Sequence, residues 1–177
     1  MLRIAVLGCG RIGQMHAANV ARHPRAKLAG VYDLHTPSAE KVAAAQGVRA
    51  FASAEEVFAS ADVDAVLIAT ATPTHADYIE MAVASGKAAL CEKPIDLNLA
   101  RVNACAEKIK GATVPIQLGF NRRYDPGHSA ARAAMLAGDI GDLHQVIITS
   151  RDPGIPPRAY LEAAGGLFRD MTIHDFD

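Results

Sequence analysis

The sequence predicts an α/β protein built on a doubly wound parallel sheet, and three observations carry that expectation. An apolar run, Ile4 to Leu7, leads straight into Gly8-Cys9-Gly10-Arg11-Ile12-Gly13. Short apolar runs then alternate with helix-patterned stretches through the first two thirds of the chain. One of them, Asp64 to Thr70 (DAVLIAT), is almost continuously apolar, as a central strand covered on both faces must be.

Taken in order, Ile4 to Leu7 reads as the first strand and the glycine-rich segment as a tight turn opening a helix. Each glycine answers a separate demand. Gly8 lets the chain turn sharply, Gly10 lets the backbone come close to a pyrophosphate, and Gly13 lets the helix pack against its strand. The N–H groups and dipole at the helix start, around Arg11 and Ile12, then face the anion. Leu28 to Tyr32 reads as the second strand and ends at Asp33, twenty positions beyond Gly13. A carboxylate there accepts the two hydroxyls of an adenosine ribose. No Lys or Arg follows Asp33 immediately, so a 2′-phosphate would meet uncompensated negative charge and the expected cofactor is NAD rather than NADP. The competing reading, an ordinary strand-to-helix turn and a surface Asp, loses weight because the motif sits between a strand and a helix.

Ser38 to Gln46 reads as a helix closed by Gly47, and Ser53 with Glu56 makes a capping box for another. Beyond the central strand come a helix from about His75 to Ser85 ending at Gly86, a strand at Ala88 to Cys91, a helix from about Leu97 to Lys110 and a strand at Ile116 to Phe120. Right-handed crossovers are expected, with ligands beyond the carboxyl ends of the strands. Residues 1–120 thus form a first domain. The pattern changes at Asn121, where Asn121 to Gly127 is polar and turn-rich, followed by an alanine-rich helix to about Ala137. Leu143 to Ser150 alternates imperfectly and reads as a strand of a different sheet, and Asp152-Pro153-Gly154-Ile155-Pro156-Pro157 is irregular. Residues 121–177 therefore read as the truncated start of an α+β domain, since one strand and one or two helices bury no sheet face alone. Its unpaired edge favours association.

At 177 residues the chain has room for one full core and the start of a second. Half its residues are hydrophobic, 21% are charged and the net charge is −1, a balance that gives no footprint for a nucleic acid or an anionic membrane. No apolar run approaches a membrane span. Cys9, Cys91 and Cys105 make an odd set without a CxxC pair, and no secretory leader precedes the first strand. A cytoplasmic, reduced protein is expected, with the cysteines as small buried residues.

Three clusters bear on chemistry. Thr70-Ala71-Thr72-Pro73-Thr74-His75 follows the central strand, where its backbone and hydroxyls line a cofactor or where Thr74 simply caps the next helix. Glu92-Lys93-Pro94 follows the strand Ala88 to Cys91. Pro94 restrains Lys93 to extended backbone at the ligand edge, and an ammonium there suits a substrate oxygen that gains negative charge as hydride leaves. The alternative is a solvated lysine beside a turn proline. In the last cluster, Gly165 to Asp177, a helix from Leu167 onward puts Asp170 and His174 on one face. Such a histidine takes a hydroxyl proton while the carboxylate steadies the imidazolium. A surface pair and a metal site are the other readings, the metal disfavoured because no further cluster supplies ligands.

Gly8-Cys9-Gly10-Arg11-Ile12-Gly13, Thr72-Pro73-Thr74-His75, Glu92-Lys93-Pro94, Phe120 to Asp125 and Gly165-Gly166 followed by Asp170, His174 and Asp175 occur in one order along the chain. In this the chain resembles the glucose–fructose oxidoreductase/inositol dehydrogenase (Gfo/Idh/MocA) family, and within it the inositol 2-dehydrogenases. The resemblance implies a Rossmann-type nucleotide domain and NAD-dependent oxidation of a ring secondary alcohol of a cyclic polyol, most like myo-inositol to its 2-ketone. It implies Lys93, Asp170 and His174 as catalytic residues and Arg123 and Asp152 near the substrate. Cofactor contacts would come from Gly8, Gly10, Arg11, Ile12, Gly13, Asp33, Thr70, Thr72, Pro73, His75, Glu92 and Lys93. No metal is implied. Family members have a much larger second domain that walls the substrate pocket and forms homodimers or homotetramers, so residues 121–177 are expected to be only its beginning. A dehydrogenase of another sugar, or a non-catalytic NAD-binding regulator that responds to sugars, shares the same frame.

Overall fold

The computed structural model describes residues 1–151 and 154–177. The chain divides into two compact units, Met1–Gly119 and Phe120–Asp177. In the first, β1 (Leu2–Leu7), α1 (Arg11–Arg22), β2 (Ala26–Tyr32), α2 (Thr36–Gln46), α3 (Ala54–Ala59) and β3 (Ala65–Ile68) are followed by a short 3-10 turn at Thr72–Thr74. Then come α4 (His75–Ala84), β4 (Ala88–Cys91), α5 (Leu99–Lys108) and β5 (Ile116–Leu118).

All neighbouring strands pair in parallel, in the order β2-β1-β3-β4-β5. Leu7 stands opposite both Tyr32 and Ile68, Ile68 opposite Cys91, and Cys91 opposite Leu118. The carboxyl ends of all five strands are therefore level, and the loops that leave them share one edge. Outside β2 a single parallel bridge joins Val31 to Ala50, where Val31 N–H donates to Arg49 O and Phe51 N–H donates to Val31 O. Three residues are too few to show a periodicity, so the sequence pattern gives no sign of this contact.

The continuous apolar runs have a direct cause in the packing. Leu7, Val66, Ile68 and Cys91 enter one core with Val57, Ile79 and Cys105, while Val6 and Leu67 enter the other with Ala17, Val20, Val31 and Val42. Successive side chains of β1 and β3 point to opposite faces, and both faces are covered. The helix ends follow their expected chemistry. Gly47 closes α2 at φ 65°, and Ser53 Oγ accepts from Glu56 N–H at the start of α3. The reciprocal arm of that capping box lands one residue early, with Glu56 Oε2 accepting from Ala52 N–H at 2.7 Å.

In the second unit a 3-10 turn (Asn121–Tyr124) precedes α6 (Pro126–Ala137), whose cap is Asp125 accepting from His128 N–H. After it come α7 (Arg158–Ala163), a π-helical turn at Phe168–Thr172 and α8 (Ile173–Phe176). The strand expected at Leu143 to Ser150 does not form. A strand exists only through hydrogen bonds to a neighbour, and all regular structure among the described residues of this unit is helical. No helix among the described residues is long and apolar enough to cross a membrane.

Candidate cofactor and active site

The glycine turn leaves β1 beside β3, at the point where the crossovers diverge to the two sides of β1. Gly8 has φ +95°, and a Cβ there would lie 2.3 Å from Ala69 O. A Cβ on Gly13 would lie 1.8 Å from Gly8 O. Both positions must be glycine for the protein to close on itself. Gly10 is different. Its φ of −68° suits any residue and a Cβ would meet no atom within 4 Å. No protein contact calls for that glycine, and the open space beside it would admit a pyrophosphate. Gly10 is also the N-cap of α1 and no side chain caps its N–H groups, with Arg11 exposed and Ile12 half-buried in the first turn. Those donors and the helix dipole fit an anion.

Asp33 lies just past β2 and is fastened to the same turn. Its Oδ2 accepts from Cys9 N–H at 2.6 Å and its Oδ1 from His35 N–H at 2.8 Å. A carboxylate offers about four acceptor sites, so two bonds leave capacity for a ribose diol. Burial, with Asp33 adding to it, pushes the Cys9 thiol up to about 12. Burial raises the Cys91 and Cys105 thiols too, so all three free cysteines are inert at neutral pH.

At the end of β3 the hydroxyls of Thr70 and Thr74 lie 2.7 Å apart, and Thr74 also donates to Ala71 O. Thr74 is thus the N-cap of α4 by position without capping it by side chain. Thr72 is half-buried and Pro73 exposed. His75, expected among the cofactor contacts, is only 2% exposed. Its Nδ1 lies 2.7 Å from Pro94 O and its Nε2 3.0 Å from Thr70 O. The imidazole therefore sits between the loop after β3 and the loop after β4.

Glu92, Lys93 and Pro94 continue from β4, and Glu92 N–H donates to Ile68 O. The Lys93–Pro94 peptide is cis, and Lys93 is half-buried. Glu92 Oε1 is 2.7 Å from His16 Nε2 on α1. A Cβ on Gly119 would lie 2.9 Å from Glu92 Oε2, so Gly119 makes the niche that holds the carboxylate. Burial pushes this carboxyl up, but His16 and the Lys93 backbone N–H, both bonded to it, outweigh burial and hold it below its ordinary value. His16 and Gly119 carry no motif of their own, and their partner is far away in the sequence.

In the second unit the Tyr160 hydroxyl donates to Asp170 at 2.7 Å, and the His174 ring stands edge-on to Phe120 with centroids 6.3 Å apart. Asp170 lies in the π-helical turn and His174 in α8, so their relation is not the plain four-residue step of one α-helix that the sequence implies. Arg122 pairs with Asp175. Arg123, expected near a substrate, is exposed and donates to both carboxylate oxygens of Asp177 at 2.7–2.9 Å. Asp152 lies outside the described residues.

A parallel sheet in this order, an uncapped glycine turn at its switch point and an acidic residue closing β2 define a dinucleotide-binding protein. Residues 2–120 match the oxidoreductase family with an NAD-binding Rossmann fold, and the chain belongs to that family. It is 47% identical over 176 residues to the inositol 2-dehydrogenase of Rhizobium meliloti strain 1021, covering 99% of this chain and 53% of that one. The crystal structure of a myo-inositol dehydrogenase from Corynebacterium glutamicum superposes with a TM-score of 0.92 at 48% identity, over 99% of this chain and 53% of that one. The scyllo-inositol dehydrogenase of Lactobacillus casei, solved with NAD(H) and scyllo-inositol bound, superposes at 0.82 with 30% identity, over 99% and 54%. The chain spans about half the length of the relatives it matches.

Proposed function

We propose that this chain belongs to an NAD-dependent dehydrogenase that oxidises one ring secondary alcohol of a cyclic polyol, myo-inositol or a stereoisomer, to the ketone. The observation that carries the reading is Lys93, held half-buried two residues beyond β4, at the same sheet edge as the uncapped Gly10 turn and Asp33. The inositol dehydrogenases among the relatives support the substrate class.

Asp33 would hold the adenosine ribose, and the Gly8–Gly13 turn with the N–H groups of Arg11 and Ile12 the pyrophosphate. Thr70, Thr72 and Pro73 would border the same cofactor. NAD, when bound, accepts the hydride from the carbinol carbon. His174 takes the hydroxyl proton as the carbon–oxygen double bond forms, and Asp170 steadies the resulting imidazolium. The Lys93 ammonium donates a hydrogen bond to the oxygen, which is most negative midway through the reaction. The same reading makes the protein a cytoplasmic homodimer or homotetramer, and its three buried free thiols are at home in a reducing compartment.

The test is NADH formation from NAD and myo-inositol, with scyllo-inositol and glucose alongside. Turnover with an inositol at least about tenfold above glucose is expected, and Lys93→Ala should lower it about 100-fold or more. Unchanged turnover in Lys93→Ala would contradict the role given to the lysine.

A further inference from the structure

The residues on both sides of Lys93 are tied down by histidines from other elements. On one side Glu92 is bonded to His16 of α1 and wedged against Gly119 beyond β5. On the other, Pro94 O is the acceptor facing the ring of His75. Glu92 also receives the backbone N–H of Lys93 itself. Glu92 Oε1 thus faces His16, and Oε2 lies in the niche beside Gly119.

We infer that His16 and Glu92 are positioning residues: together they fix the backbone of Lys93 relative to α1, the helix whose N-terminus meets the pyrophosphate. The pair spans 76 positions of sequence and joins the helix that receives the cofactor to the loop that carries the lysine. Displacing a reacting group by about 1 Å costs on the order of 100-fold in rate, so a fixed distance between these two elements has direct catalytic value. The inference rests on the proposed role of Lys93, and its test is read without turnover.

That test is amide hydrogen exchange of Lys93, followed by NMR on the NAD-saturated chain. Removing the Glu92 acceptor, in Glu92→Ala, or the His16 bond that fixes it, in His16→Ala, should speed Lys93 exchange about tenfold. In Glu92→Gln, whose amide oxygen still accepts the Lys93 N–H, exchange should stay within about threefold of the wild-type rate. Exchange at Val6 and Leu7 of β1 should not change. His16 is partly exposed on its helix, so His16→Ala carries the test if Glu92→Ala fails to fold. Unchanged Lys93 exchange in folded His16→Ala overturns the inference, and so does acceleration spread equally over β1. A wild-type chain that turns over no polyol would sink the proposed function while leaving the exchange result to stand on its own.

Discussion

The two units differ most in what they bury. Met1–Gly119 holds two cores, one on each face of its sheet, in which Leu7, Ile68 and Ile79 are fully enclosed. Among the described residues of Phe120–Asp177 none is buried, and Ile147 and Phe176 are 79% and 77% exposed. Both stretches contain well-formed helix signals, including glycine-closed C-termini at Gly47 and Gly138. Local signals make helices in either unit, whereas a core needs packed layers that cover one another's apolar faces.

The largest effect is expected inside the glycine turn. Gly13→Ala drives a methyl into Gly8 O, a backbone atom that cannot step aside, and should cost about 3 kcal/mol or more in urea unfolding while abolishing NAD binding. Next comes a paired comparison of the units. Ile79→Ala, in the core, should cost about 2–5 kcal/mol, and Ile147→Ala, exposed in the second unit, less than about 0.5 kcal/mol. Equal costs would mean that Ile147 is buried in the protein in solution. Gly10→Ala separates binding from folding: its melting temperature should stay within about 2 °C of the wild type, while NAD affinity falls about tenfold or more.

The smallest effect concerns acid. Hydrogen bonds from the Arg3 side chain and backbone hold the Asp64 carboxyl well below the usual carboxylate range. A carboxyl whose folded-state pKa is depressed contributes stability that is complete above its unfolded value, about 3.9, and is lost as pH falls toward the folded value. Asp64→Asn should therefore leave a shallower acid limb below about pH 4 in a plot of urea midpoint against pH.

Much of the first unit is legible in the sequence because its signals are local. The glycine turn, Asp33, the capping residue Ser53 and the run that becomes β3 each announce themselves within a few residues. What escapes is non-local. Glu92 gives no hint that His16 bonds it or that Gly119 shapes its niche, and Lys87 gives none that it is buried, donating to Ser60 O and Val63 O. The partners of His75 escape for the same reason: Thr70 O and Pro94 O, which its ring faces, leave no trace in the pattern around it. Leu143 to Ser150 errs the other way: an apolar run is compatible with a strand, but only a partner makes one.

A binding titration of NAD against NADP on this chain tests directly the roles proposed for Asp33 and the Gly8–Gly13 turn. Submillimolar binding of NAD is expected, with NADP weaker by about tenfold or more because its 2′-phosphate meets the Asp33 carboxylate. In Asp33→Ser that preference should shrink. Equal affinity for the two nucleotides, or a preference that survives in Asp33→Ser, would contradict the account.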